Sequence, residues 1–348
     1  MKTVVGAYLI DAPFSALNNR GIDRTRAANE NEVATKTIYS PEGTRPYVSA
    51  QALRYWWRAV LEDKFEWNCS PVEVIGKNQG VTKADPLEYD DDDVFGYMSA
   101  RKVETDKKDK KGKPKMENVT VTRVSPLKCS PLIGFPIRPV SDFGSLTRKL
   151  EGDPILFSHQ FYSNILKGIF ALDIDSVGRF TIIDKPGSKN LSRDLANEYE
   201  EKGLKKDDKT YTIPLDSKKK RISDTLKALK YLNGGAMQAL HHTDVTPKLI
   251  MLAVLNSGNN IFMDVIPHNK YERGLVNIDA LYEVLEDYKD DLLSRVYIGK
   301  LSGFGTDKDL ELDHFSAPEG VELNITTPVK AIDQFLEEIL KNDRFIGD

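Results

Sequence analysis

Apolar residues crowd the first ten positions, MKTVVGAYLI, which predicts a buried strand over residues 2–10. The period then changes. In PYVSAQALRYWWRAVLE, residues 46–62, a step of about 100° per residue puts Leu53, Trp56, Trp57 and Val60 in one arc and Gln51, Arg54, Tyr55 and Arg58 in the opposite one. This is a helix with its tryptophan side in the core and a cationic stripe on its flank. Ser49, just before the periodic run, is the expected N-cap, and the helix start behind it favours an anion. Between strand and helix runs the polar connection SALNNRGIDRTRAANENEVATK, whose length inside a compact domain suggests function rather than idleness.

Residues from the helix to about 140 are irregular and include DPLEYDDDD and the lysine-rich KKDKKGKPK at 107–115, expected to be a mobile loop. SDFGSLTRKLEGDPILF has little periodicity and reads as a protruding excursion. FYSNILKGIFALDID and RFTII then predict strands around a turn at Val177 and Gly178. A polar, lysine-rich insertion is expected at 185–221, followed by a helix in SDTLKALKYLNGG with Ser223 as N-cap and Gly234 beyond its end. KLIMLAVLNSGNNIFMDVI reads as strand, turn, strand. NIDALYEVLEDYKDDLL predicts a helix, RVYIGKL a strand, and TPVKAIDQFLEEILKN a helix with Pro328 at its first position. The order strand, helix, strand, strand, helix, strand in the central elements is that of an α+β, ferredoxin-like unit, the kind used by RNA-recognition domains.

The bulk numbers narrow the class. With 348 residues, 40% hydrophobic and 29% charged, the chain suits one large domain with insertions or two lobes. No apolar run approaches the ~20 residues that span a bilayer, and the N-terminus lacks a basic leader region, so a cytoplasmic protein with no membrane partner is expected. Cys69 and Cys129 have no CxxC spacing, which fits a reducing compartment and offers no zinc framework. The net charge of −4 is unevenly spread. Residues 1–60 hold eight Lys/Arg against five Asp/Glu and 100–130 ten against four, whereas 270–348 hold nine against eighteen. An acidic C-terminal body behind a basic N-terminal half leaves one face for a polyanion.

The candidate chemistry clusters accordingly. Asn18, Arg20 and Lys36 in the connection, Ser49 at the cap, and Gln51, Arg54 and Arg58 on the stripe form a mixture of amide, hydroxyl and cationic donors suited to gripping phosphate and ribose without reading bases. Arg123, from the basic 100–130 region, joins this set. NGGAMQALHHTD admits two readings: a helix end with a polar loop, or a segment where Gly234 and Gly235 admit a nucleic-acid strand and Gln238, His241 and His242 bond or stack with it. Zinc is not expected there, since no Cys or third His stands at ligand spacing. DPLEYDDDD is expected to be a solvated acidic loop rather than a cation site. Asp11 and Asp23 flank the basic connection where Mg²⁺ could serve phosphodiester cleavage, but lone carboxylates without a nearby histidine are usually structural. A P-loop, a GxGxxG and a nucleophile elbow are all missing, so no small-molecule cofactor is expected.

Five stretches in this order, LIDAPFSALNN, PYVSAQALRYWWR, DVFGYM, FYSNILKGIFALDI and LNGGAMQALHHTDVTPK, resemble the DevR-like backbone subunit of type I CRISPR surveillance (Cascade) complexes, subtype I-B, in the repeat-associated mysterious protein superfamily. The most specific match is the pattern S-x-Q-x-L-[KR], met by Ser49, Gln51, Leu53 and Arg54; Leu17 and Asn18 after the first strand are a second. The resemblance implies a right-hand shape: an RRM-like palm at 1–63 and 159–348, with the polar insertion at about 185–221, fingers at 64–140 and a thumb at 141–158. It also implies a non-catalytic subunit that stacks head to tail with further copies of itself along a CRISPR RNA. The thumb displaces a base so that the target DNA strand pairs in short segments, and large and end-capping subunits complete the assembly. Asn18, Arg20, Lys36, Ser49, Gln51, Arg54 and Arg58 become guide contacts. Two other readings stand beside it: a metal-dependent endoribonuclease like the backbone subunits of type III complexes, with Asp23 in the corresponding loop, and a transcriptional regulator, for which no helix-turn-helix pattern is present.

Overall fold

The computed structural model describes residues 1–22, 32–75, 79–108, 114–148, 151–183, 185, 189–202, 204–267 and 274–347. The chain opens with strands β1 (Thr3–Ser15), β2 (Asn19–Ile22), β3 (Glu32–Thr35), β4 (Thr37–Ser40) and β5 (Gly43–Val48), then helix α1 (Ala50–Phe65). A second run comprises β6 (Glu73–Ile75), β7 (Gln79–Val81), α2 (Asp90–Phe95), β8 (Tyr97–Lys108), β9 (Pro114–Arg123), β10 (Leu127–Cys129) and β11 (Leu132–Gly134). β12 (Val140–Leu146) and the long β13 (Ile155–Asp173) follow, then β14 (Arg179–Thr181), α3 (Arg193–Glu201), β15 (Lys205–Asp207), β16 (Thr210–Thr212) and α4 (Leu215–Lys227). The last part holds β17 (Leu249–Leu255), α5 (Ile278–Asp287), β18 (Val296–Lys300), β19 (Leu323–Thr326) and α6 (Pro328–Lys341). The architecture is α+β, built on a twelve-stranded mixed sheet with the path β19-β18-β17-β1-β13-β11-β5-β4.

β1 lies at the centre, antiparallel to both β13 and β17. Its side chains alternate between two cores. Val4, Tyr8 and Ile10 join the core built with α1, α4 and α6, whereas Val5, Ala7 and Leu9 join the one covered by Phe262, Leu281 and Leu312. A strand buried on both faces must be apolar throughout, which is why the first ten residues show so little polar alternation.

α1 forms as its pattern predicts. Ser49 caps it, its side chain accepting from the Ala52 N–H at 3.4 Å, and Leu53, Trp56, Trp57, Val60 and Leu61 are buried. Each buried indole removes about 200 Å² from water, on the order of 5 kcal/mol of transfer free energy. The Trp57 ring meets Phe170 edge-on at 5.6 Å, and its Nε1–H donates to the Thr225 carbonyl at 2.8 Å, so one side chain joins α1, β13 and α4. α6 carries Pro328 at its start and buries Ile332, Phe335 and Ile339.

Several boundaries differ from expectation. α4 begins at Leu215, not Ser223; Ser223 is buried within it, and the charged residues of its first two turns, of which Lys218 and Arg221 are buried, hid the helix inside a lysine-rich stretch. The rest of the 185–221 insertion supplies α3, β15 and β16, which complete a small three-stranded sheet, β14-β16-β15, with the preceding β14 over Phe180, Leu191 and Tyr211. IFMDVI forms turns rather than a strand, with Phe262 buried. β10 and β11, inside the expected fingers range, pair with β13 in the main sheet. The two described ends of the polar connection after β1 are paired, β2 with β3 and β3 parallel to β13, while its residues 23–31 lie outside the described residues; beyond it β4 bonds β5. The 141–157 excursion is a hairpin in which β12 pairs with the first half of β13, exposed along β12, so neither face needed an apolar period.

The turns at 261–266 are held to the sheet by a buried lysine. Lys167 on β13 is 7% exposed, and its Nζ donates to the carbonyls of Met263 and, at 2.9 Å, Ile266. Burial pushes its pKa from 10.5 down to about 8. Between those values the unfolded chain binds the proton and the folded chain does not, so this group makes stability rise with pH across that window, and it is least favourable below about 8. Urea unfolding across this range is expected to show that rise in the wild type and a flatter profile in Lys167→Met.

Candidate nucleic-acid interface

Leu17 and Asn18 leave β1 at the head of α1, and three segments converge on them. The Asn18 side-chain oxygen accepts from the Ser49 N–H at 3.1 Å, which fixes the chain entering α1. The Asn18 carbonyl accepts from the Lys36 N–H at 2.7 Å, and the Leu17 carbonyl from the Ala236 N–H at 2.9 Å. Within the 234–243 loop, Gln238 donates to the Gly234 carbonyl at 2.5 Å and accepts from the Thr243 N–H at 2.9 Å. The Thr243 hydroxyl meets that of Ser15 at 2.6 Å. Residues distant in sequence, Asn18, Lys36, Ser49 and the Gly234–Gln238 loop, therefore form one hydrogen-bonded knot, with Gln51 exposed on the first turn of α1. Lys36 is half-buried and its ammonium has no ion pair among the described residues. Arg20 is exposed on β2, two residues beyond Asn18.

The two glycines face the protein rather than a ligand. A Cβ on Gly234 (φ +155°) would stand 2.3 Å from Trp56 Cγ, and one on Gly235 (φ +115°) 2.7 Å from Leu17 Cδ2. Their positive φ and missing side chains let the loop lie against α1 and Leu17. They position the knot and are not openings for a strand.

The cationic stripe is largely committed inside the protein. Arg54 donates to the carbonyls of Leu127 at 2.8 Å and Phe95 at 2.6 Å, and its guanidinium lies 4.9 Å from the Phe95 ring centre. Arg58 pairs with Asp91 at 3.0 Å. Both hold α2, the helix made by the DDDD run. That run is not a solvated loop: Asp91, Asp92 and Asp93 are 3%, 1% and 0% exposed. Each carboxylate has its own role. Asp91 accepts from the Ser70 N–H, Asp92 from the Asp85 N–H, and Asp90 from Arg221 at 2.7 Å. Asp93 is shared by Arg123, Arg221 at 2.8 Å and the Gly178 N–H at 2.9 Å. Burial raises the pKa of Asp91 and Asp92. Burial also opposes the charge on Arg221, but Asp93 and Asp90 outweigh it and hold its pKa above the ordinary value. Arg123, at 4% exposure, donates as well to Arg179 and Ser176 carbonyls, so it joins strands instead of meeting a ligand. Among the stripe residues, Gln51 and Tyr55 are the ones left exposed.

His241 lies at the base of the hairpin. Its Nε2 is 3.1 Å from Nε2 of His159 on β13, and its ring stacks on Phe161 at 5.5 Å and 25°. The reading from residue patterns missed His159, Phe161 and Phe14, although Phe14 stands in LIDAPFSALNN; alternate aromatics in FSHQF were the available signal. Asp11 is half-buried on β1. Asp23 and most of the lysine loop, residues 109–113, lie outside the described residues. Among those described, no group of three or more His, Cys, Asp or Glu is arranged to hold a metal, and no helix is long and apolar enough to cross a membrane.

The overall fold is shared with chains of CRISPR surveillance complexes. A chain of a "CRISPR RNA-guided surveillance complex" is 11% identical, with 97% of this chain and 99% of that one covered at a TM-score of 0.52. Another, "CRISPR RNA-guided surveillance complex, pre-nicking", is 10% identical with the same coverage and TM-score. No curated protein sequence matches the chain. The family model described as "CRISPR-associated negative auto-regulator DevR/Csa2" matches residues 14–273, and this chain belongs to that family.

Removing Asp93 strands two buried guanidinium groups. Asp93→Ala is expected to destabilise the fold by about 3–5 kcal/mol, read as a lower urea midpoint, whereas Lys341→Ala on the surface of α6 should change it by less than about 0.5 kcal/mol.

Proposed function

We propose that this chain is the repeating backbone subunit of a type I, subtype I-B, CRISPR surveillance complex, binding the guide RNA by phosphate and ribose without sequence preference and without cleaving it. The observation that carries the reading is the knot at Leu17–Asn18. It joins the family's two most specific sequence matches, Leu17–Asn18 and the Ser49–Arg54 helix start, and presents main chain, Lys36 and Gln51 rather than a base-shaped pocket. A protein that accepts any guide must hold the backbone and leave base edges free for pairing.

The strand order β17-β1-β13-β10, with α1 and α4 on one face, supports an RRM-like palm. The sheet face on which RNA-recognition domains stack bases is covered here by Phe262, Leu281 and Leu312, which favours RNA contact at the head of α1. In this reading β6 to β9 lie in the fingers and residues 141–158 of the hairpin are the thumb, displacing bases of the guide–target DNA duplex. Copies associate head to tail through a heterologous interface, which other subunits must cap. A soluble, cytoplasmic complex follows.

Purified full-length protein with labelled single-stranded RNA, with and without Mg²⁺, tests this by native mass and denaturing gel. The expected result is intact RNA carrying more copies as its length increases; Mg²⁺-dependent shortening abolished by Asp23→Ala would make the chain an endoribonuclease instead. Lys36→Ala and Gln51→Ala are expected to weaken binding similarly for unrelated sequences, and Lys36→Ala to flatten the salt dependence by about 0.7 in log–log slope. Loss confined to one sequence would contradict backbone recognition. Shortening 141–158 should leave the fold intact and impair guide–target pairing, measured by strand-displacement assay; normal pairing would sink the thumb assignment.

A further inference from the structure

β1 is not regular to its end. Its pairing with β13 runs from Thr3↔Asp173 to Ala12↔Asn164 and resumes at Ser15↔Tyr162, so Pro13 and Phe14 stand opposite the single residue Ser163. This is a β-bulge, a device that re-aims a side chain. Phe14 sits in it at φ +46°, and its N–H donates to the Ser163 hydroxyl at 3.0 Å. The left-handed region is unfavourable for an L-residue with a ring. The outcome of that strain is an aromatic side chain 66% exposed to solvent. Core packing cannot explain it, because the ring is not buried. Backbone strain of this kind collects where a side chain has to be presented.

Behind Phe14 stands a ladder of rings. Its centroid is 6.2 Å from that of Phe161, which stacks on His241. The His241 imidazole meets His159, and His159 stacks with Phe157 at 6.3 Å and 23°. His159 is 8% exposed, and its Nδ1 has no hydrogen-bond partner. Ser15, next to Phe14, bonds Thr243 of the 234–243 loop, so the ladder and the Leu17–Asn18 knot share one frame.

We propose that Phe14 is a stacking platform for an unpaired nucleobase of the single strand held at the Leu17–Asn18 knot, with Phe161 and His241 fixing the ring from behind. The inference rests on the RNA-binding reading above. Aromatic faces accept any base, because every base has a π-face, so such a platform adds affinity without sequence preference. The polar groups around it, the exposed Ser163 hydroxyl and the half-buried imidazole of His241, suit a nucleotide better than an apolar protein surface.

The test measures binding of the full-length protein to two RNAs of equal length, one base-bearing and one carrying abasic ribose units throughout. The wild type is expected to prefer the base-bearing RNA, and Phe14→Ala to lose that preference, weakening only the base-bearing complex by about 5- to 100-fold. Phe14→Trp should retain it. Phe14→Leu, apolar but without a π-face, should behave like Phe14→Ala, and Phe14→Gly, which relieves the backbone, controls for folding. Equal weakening of both RNAs by Phe14→Ala, full binding by Phe14→Leu, or a variant that changes only the number of copies per RNA would each overturn the platform and point to a protein contact. Equal wild-type binding of both RNAs would also overturn it while leaving backbone recognition standing. Wild type that binds neither RNA would overturn the RNA-binding reading and the platform with it.

Discussion

The carboxylate of Asp93 is the point on which the architecture depends. It is fully buried, and an isolated charge there would be too costly to persist. Two guanidinium groups and one backbone N–H surround it, from β9, α4 and the turn before β14. Segments far apart in sequence are thus fastened at one charge, and directional bonds specify their arrangement more narrowly than apolar contact alone could. The remaining aspartates of the run extend the clamp to Ser70, Asp85, Arg58 and Arg221.

This clamp also decides which cations can meet a polyanion. Arg54, Arg58 and Arg123 look alike in sequence to residues that grip phosphate, yet each is spent on holding α2 or its surroundings. What is left at the head of α1 is a polar knot, made of main-chain groups, Gln51 and Lys36. In the proposed reading, backbone gripping would rest on hydrogen bonds and few charges, which suits a chain whose net charge is −4.

Mechanical continuity is the second organising feature. β13 begins as one arm of an exposed hairpin and ends between β1 and β10 in the core of the sheet. The bulge opposite Ser163 and the ring ladder lie where the strand passes from one role to the other. The strand that carries the hairpin is thus the same one that borders β1 beside the knot.

Local pattern was sufficient for β1, for α1 with its Ser49 cap and buried tryptophans, and for α6 after Pro328, because capping and a one-sided apolar face act within a few residues. Ser49 was legible as well, through its place before the helix, whereas Leu17 and Asn18 stood out through the resemblance to the family. The hairpin was not, since an exposed ribbon has no apolar period, and the start of α4 was masked by its run of charged residues, two of which folding buries. The fate of the charged residues was illegible for a deeper reason. Whether an aspartate or arginine is solvated or buried depends on which opposite charge folding brings within hydrogen-bond reach, and the partners of Asp93 lie 30 and 128 positions away in the chain. Sequence determined β1, the capped helix α1 and α6; only the tertiary structure decided that the acidic run is a core clamp and that Phe14 faces solvent, because pairing across such distances is written in no local pattern.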